Sequence, residues 1–441
     1  MNARNALIRT VLAVVVIAPG CRSSAAQEQK TSKNVPPPSA SIESLNIQGG
    51  DAALPPISDS AIDVDSPFRQ SLFRNGFALR WINTVRYAQN TLQAPVPTDQ
   101  QVYVGEYPFE GGMTNPILTW DLRQVGLKHA QFDVSGVWQW VSWEPAGPKT
   151  FGLWTLYLYK EFGRDRVEIK AGYNSNDIEF VGMQVGGSTA SGVQGVYAVL
   201  PYEVGMAFFP LPAPQLNLKL NATHRTYLKF GLQRSLDAAG GPATEARNHT
   251  GLRFAPHGDK LLTISEAGFR RPSSGSTHAV WFRTGYMHNS TQYMNFTSGR
   301  YELGNHAAFA LMDAQITKSS QEHPERGLYV GISAMTAASQ FNAYDRYFEA
   351  RLYKLAPFAG RPQDVASLVS TYTGFSKTLT DSLVASGARV WRNSGSVTGS
   401  YNFHLAPGNY LSVGLSYVHG PAIKPRTDDA LTFAAVYTVF F

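Results

Sequence analysis

The chain has a single cysteine, Cys21, among its 441 residues. With no second thiol it cannot form an internal disulfide, so packing and backbone pairing must hold the fold. No apolar run approaches the roughly 20 residues that a spanning helix needs; the longest is Val11 to Ala18. There is no cluster of Lys and Arg, no Cys/His metal spacing, no His-Glu-x-x-His and no phosphate loop with its Lys. Gly186-Gly187-Ser188 lacks the strand-to-helix context of a phosphate cradle. No Gly-x-Ser-x-Gly elbow is present. These absences point away from a helical membrane protein, a nucleic-acid binder and a hydrolase, and no metal or cofactor is expected.

What is present is aromatic. Phe, Trp and Tyr make up 12% of the chain, apolar residues only 43%, and 39 residues are Gly. Mean hydropathy is −0.19. Abundant Tyr and Trp with modest hydropathy suit a barrel that is apolar outside and polar inside, with its rings at the membrane interfaces.

The first 26 residues have the order of an export signal. Arg4 and Arg9 precede the apolar run, and Ser24-Ala25-Ala26 offers small residues for cleavage before Gln27. Two fates are open to Cys21, removal with the leader or lipidation. Ala18-Pro19-Gly20 is a poor match to the Leu-Ala-Gly pattern of lipidated sites, which favours removal. Loss of Arg4, Arg9 and Arg22 lowers the formal charge of +6 by three, too little to argue for nucleic acid. Residues 27–66 follow, with Pro36-Pro37-Pro38, Pro55-Pro56, many Ser and Asp, and little periodicity. They read as a flexible periplasmic arm.

From residue 67 to 441 a period of two takes over. Leu216, Leu218 and Leu220 alternate with Asn217, Lys219 and Asn221. Val397, Gly399, Tyr401 and Phe403 alternate with Thr398, Ser400, Asn402 and His404. The last strand sets Leu431, Phe433, Ala435, Tyr437, Val439 and Phe441 on one face, and the chain stops there. One greasy face with aromatic ends and about ten residues is the unit of a membrane barrel. At roughly 22 to 24 residues per strand and connection, the segment holds about 16 antiparallel strands. The fold class is therefore an all-β, 16-stranded transmembrane barrel in the bacterial outer membrane. Phe162-Gly163-Arg164-Asp165, Ala255-Pro256-His257-Gly258-Asp259 and Ala406-Pro407-Gly408-Asn409 read as short periplasmic turns. Residues 174–212 break the rhythm with six Gly and several Ala and Ser. A connection that long between spanning strands reads as an inward-folded constriction loop.

Such a pore would sort solutes by hydrogen bonds and aromatic faces. Arg80, Arg86, Asp121, Arg123, Glu168, Glu266, Arg270 and Arg351 could supply both signs of charge to the lumen, and Phe180, Tyr197 and Tyr202 could supply faces. Interleaved acids and small net charge argue against an anion-selective pore, which wants a ladder of Lys and Arg.

Four stretches resemble one family in order: LWTLYLYKEFGRDRVEIKAGYNSNDIEFVG (153–182), LLTISEAGFRR (261–271), APFAGRPQDVASLVSTYTGFSKTL (356–379) and the final strand. They resemble the carbohydrate-selective porins of the OprB family. The resemblance implies a 16-stranded outer-membrane porin that passes glucose-like mono- and oligosaccharides by diffusion. It implies that Asp177 and Glu179 stand at the root of the constricting loop and that Glu266 and Arg270 belong to a strand motif. The partners expected are permeating sugars, outer-membrane lipid and lipopolysaccharide, and no nucleic acid, with a homotrimer left open. The alternative function is a general or anion-selective porin for small organic or phosphate solutes.

Overall fold

The computed structural model describes residues 42–50, 54–181 and 199–441. The leader, Cys21, Tyr197 and the middle of the loop (182–198) lie outside the described residues. Sixteen strands close into one antiparallel barrel. In chain order they are β1 (Phe77–Asn90), β2 (Phe109–Asp121), β3 (Ala130–Val141), β4 (Thr150–Phe162), β5 (Val167–Asn174), β6 (Ala213–Asn221), β7 (Thr226–Arg234), β8 (Leu261–Arg271) and β9 (Val280–Asn289). A small hairpin, β10 (Tyr293–Met294) and β11 (Tyr301–Glu302), stands apart from the wall. The barrel resumes with β12 (Asn305–Gln315), β13 (Gly327–Ala337), β14 (Tyr344–Leu355), β15 (Val365–Phe375), β16 (Asn393–Ala406), β17 (Asn409–His419) and β18 (Asp429–Phe440). Among the described residues no helix is long and apolar enough to cross a membrane.

The alternation sorts side chains as a lipid-facing wall requires. On β18, Phe433 and Tyr437 face outward and are exposed, beside Leu415 and Tyr417 of β17. Thr432, Ala434, Val436 and Thr438 face the lumen between them. Lipid cannot satisfy a free strand edge, so the last strand must pair with the first. It does: Ile82 sits opposite Phe440. Phe441 donates its N–H to Trp81 O at 2.8 Å and accepts from Trp81 N at 3.2 Å. Phe441 is therefore part of the seam.

Both termini of the barrel and the tight connections share one rim. Gly163, between β4 and β5, and Gly408, between β16 and β17, both adopt positive φ. Gly408 has a second reason to be glycine: a Cβ there would lie 2.4 Å from Ala61 N and from Phe440 O. The Ala255–Asp259 turn corrects the reading of the sequence. It lies in the long connection between β7 and β8, on the opposite rim. Its Pro and Gly mark a turn correctly, but only the direction of β7 decides at which end.

The start of the barrel also differs. Residues Pro67–Arg74 form a helix, α1, with Pro at its first position, and the wall begins at Phe77. Nor are residues 42–50 and 54–66 a free arm. Leu45, Leu54 and Ile57 are buried among lumen-facing side chains of the wall. Burial of three such side chains stabilises docking by about 1.5–3 kcal/mol each, before ordering entropy. The composition looked disordered because only these few apolar residues carry the contact.

Candidate functional site

The loop between β5 and β6 folds into the barrel. At its root Asn176–Ile178 make a short 3-10 turn. Asn176 N and Asp177 N both donate to Ala207 O, at 3.0 and 3.2 Å, so the outgoing and returning halves are joined. Amide side chains fasten this root to the wall. Asn176 Nδ2 donates to Gln233 Oε1 at 2.9 Å, and Asn217 Nδ2 donates to Asn176 Oδ1 at 2.8 Å. Asn289 Nδ2 donates to Val204 O at 2.6 Å. Gly205 has φ +93°, and a Cβ there would meet Ser235 Oγ at 2.3 Å, so the tight passage needs glycine.

Past the root the loop reaches other walls. A short helix, α2 (Val199–Glu203), carries Glu203, whose Oε2 accepts the Tyr344 N–H of β14 at 3.0 Å. Phe180, Leu200, Val204 and Met206 pack against Ile264 of β8, Met287 of β9, Phe309 of β12 and Tyr347 of β14 in one buried cluster. The loop thus covers the inner face of β8 to β14.

Buried ion pairs accompany that coverage. Lys170 Nζ lies 2.5 Å from Glu179 Oε1, and both side chains are almost wholly buried. Lys229 Nζ donates to Glu179 O at 2.8 Å and stands 3.7 Å from Glu266 Oε1. Glu266 also accepts from Tyr227 Oη at 3.0 Å. Nearby, Lys219 pairs with Glu168 at 2.9 Å. On β14, Arg351 binds Asp313 at 2.7 Å and also pairs with Glu349. Charges in a water-poor wall are tolerable only when paired and hydrogen-bonded, and these are. Among the described residues no group of His, Cys, Asp and Glu could hold a metal.

The residues singled out from sequence fall into distinct places. Glu179 and Glu266 come together through Lys229. Asp177 is at the loop root, its N–H tied to Ala207. Phe180 is 0% exposed, stacked under Gly231 and Lys229, so it anchors the loop and presents no face to solute. Tyr202 lies against Phe208, ring centroids 4.6 Å apart. Arg80 faces inward on β1 but is held by Asn46 and Pro55. Arg86, three inward positions further along the same face, rests 5.2 Å from the Phe109 ring and has no ion pair among the described residues. Arg123 belongs to the terminus-side rim, clasped by Asp121 and half exposed, outside the lumen. Arg270 lies 4.9 Å over Trp281 near the end of β8, on that same rim side.

The sequence reading missed Lys170, Lys219 and Lys229 as partners, and it missed one whole wall. Strands β15 to β18 carry a single charged side chain, Asp429, at the far rim. Their inner face is a ladder of hydroxyls. Ser367 and Ser400 hydroxyls are 2.6 Å apart, Thr371 and Ser396 2.6 Å, Thr398 and Ser416 2.7 Å. Thr84 of β1 extends it to Thr438 at 3.2 Å. From Ser396 to Ser400 the ladder covers about 13 Å at about 3.3 Å per residue. Ser396, Ser400, Ser416 and Thr432 remain partly exposed. The pattern of Ser and Thr at every second position was the available signal.

A closed barrel with a greasy exterior, a polar lumen and a loop folded inside is the architecture of an outer-membrane porin. The family model described as carbohydrate-selective porin, OprB family, matches residues 141–441, more than half of the chain. The chain belongs to that family. The high-pH structure of Pseudomonas putida OprB superposes with a TM-score of 0.72 at 15% identity, covering 86% of this chain and 97% of that one. The low-pH structure of the same porin gives 0.54 at 13% identity, with 87% and 99% covered. At such identity the likeness speaks for the fold alone. No curated protein matches the chain in sequence.

Proposed function

We propose that this porin passes neutral, glucose-like mono- and oligosaccharides by passive diffusion along the hydroxyl wall of β15 to β18, past Arg86. The observation that carries the reading is the division of the lumen. The charged wall is covered by the loop and neutralised in pairs, while the uncovered wall offers uncharged donors and acceptors. A sugar exchanges its water hydrogen bonds for hydroxyl contacts there without leaving a buried charge unpaired. Asp177, Glu179, Phe180 and Glu266 serve by holding the loop that narrows the passage. Arg86 contributes a donor fork suited to sugar hydroxyls, backed by the buried Phe109 ring. Arg80, Arg123 and Arg270 act at the terminus-side mouth.

A small pocket lies beside the loop root, lined by Tyr159, Glu168, Lys170, Glu179, Asn217 and Lys219. It has room for about one water molecule, so its groups serve to anchor the loop. The leader at 1–26 directs export, and lipid and lipopolysaccharide surround the barrel. A general or anion-selective pore is the second reading, favoured by Arg86 alone. Liposome swelling with glucose, gluconate and phosphate separates the two: neutral sugar enters fastest on the first reading, and the anions on the second.

A further inference from the structure

The N-terminal segment lies outside the residues that match the family, and its position calls for a role. It runs across the terminus-side mouth of the barrel in contact with inward-facing side chains. Leu54 packs with Ile82, Ile117, Tyr410 and Phe440. Ile57, 1% exposed, and Leu45 close on Ala78. Arg80 donates to Asn46 Oδ1 and to Pro55 O, both at 2.9 Å. Gln131 of β3 donates to Asn46 O at 3.0 Å and accepts from Gln48 N at 2.9 Å. Gly49, at φ +72°, rests directly on the Tyr159 ring of β4.

The segment is also fastened at its far end and braced within itself. Asp59 accepts from Gly408 N at 2.7 Å and from Tyr410, and His404 Nε2 lies 3.0 Å away. Ala61 N donates to Phe440 O at 2.8 Å. Glu43 accepts the N–H groups of Ile57 and Ser58 at 2.8 and 2.9 Å, which draws 42–50 and 54–61 together. The contacts therefore extend from β16 and β17, through β18, β1, β2 and β3, to β4. That arc is seven consecutive strands of the sixteen. It includes the lower end of the hydroxyl wall, and Gly49 borders the space beside the loop root.

We infer that residues 42–50 and 54–61 form an intraluminal plug, a second constriction in series with the loop, which sets the size limit for solutes leaving the pore. A tether that only linked the barrel to something else would have no reason to satisfy an inward arginine or to bury apolar residues against the lumen. A solute that has passed the loop meets this segment next, at the mouth that faces the periplasm in a barrel of this kind.

The test compares three proteins in planar bilayers and in liposomes: the full mature chain, a deletion of 42–61, and a full-length Leu54→Asp/Ile57→Asp variant in which charges undock the segment. An Ile47→Cys reporter, at a side chain partly buried against the Leu54 cluster, labelled by a membrane-impermeant maleimide verifies undocking in the full-length pair. The plug predicts single-channel conductance raised about twofold or more in both altered proteins, with entry extended to oligosaccharides longer than the longest the full chain passes. If the deletion fails to fold, the undocked variant decides. Unchanged conductance and unchanged exclusion in the undocked, labelled variant overturn the plug while leaving the sugar reading intact. A conductance rise in a protein that never passes sugar supports the plug and overturns the sugar reading.

Discussion

Phe441 and Trp81 exchange both of their backbone hydrogen bonds, at 2.8 and 3.2 Å, across the seam where the last strand meets the first. Deleting Phe441 removes both bonds and leaves Trp81 with an unpaired N–H and C=O at the membrane edge, each costing several kcal/mol in lipid. Folded, heat-modifiable protein should fall sharply on electrophoresis of unboiled samples. Full recovery of the compact band would show the seam closes without it.

Lys229 bridges the loop backbone at Glu179 and the wall at Glu266. Lys229→Met leaves a buried carboxylate without its cation, a loss of about 3–5 kcal/mol for pairs of this kind. Urea unfolding in detergent should show it, and pairing it with Glu266→Gln should restore most of the stability. A double variant no more stable than the single would mean that the pair does not hold the loop.

The alternation that made the barrel legible is imposed by the bilayer itself. Lipid demands apolar residues at every second position, so Leu431 to Phe441 announced their face and their pairing. The loop at 174–212 announced itself by breaking that rhythm. What stayed hidden depends on trajectories that no local pattern encodes. Lys170 reads as one more wet-wall cation until the loop brings Glu179 beside it. Phe180 reads as a solute platform until its ring is found under Gly231. The Ala255–Asp259 turn carries the right residues for a tight turn, but the rim is set by the direction of β7. The segments at 42–50 and 54–61 hold too few apolar residues to signal order, because Leu45, Leu54 and Ile57 share their docking with hydrogen bonds of Asn46, Asp59 and the backbone.

Asp59 supplies a pH dependence. Burial alone would raise its pKa, but hydrogen bonds from His404, Tyr410 and Gly408 N outweigh it and hold the carboxyl below its ordinary value. A lowered folded pKa adds stability above the unfolded value of about 4, and that contribution is lost as pH falls through the folded value. Maleimide labelling at Ile47→Cys should therefore stay low at neutral pH and rise below about pH 4. Asp59→Asn should give high labelling already at pH 7. Equal labelling of both proteins at pH 7 would remove Asp59 from the latch.

The hydroxyl ladder is tested by Thr398→Val with Ser400→Ala. Both remove donors and acceptors while nearly conserving volume, so the pore keeps its bore. Glucose-driven liposome swelling should slow several-fold, and potassium chloride conductance should change little. If swelling and conductance fall together, the substitutions narrowed the channel and the ladder carries no selectivity.

Swelling rates of one proteoliposome preparation in glucose and in gluconate, which differ mainly in charge, bear most directly on the central claim. A pore whose charged wall is neutralised and whose open wall is hydroxyl should admit glucose markedly faster. Gluconate entering as fast or faster would contradict it.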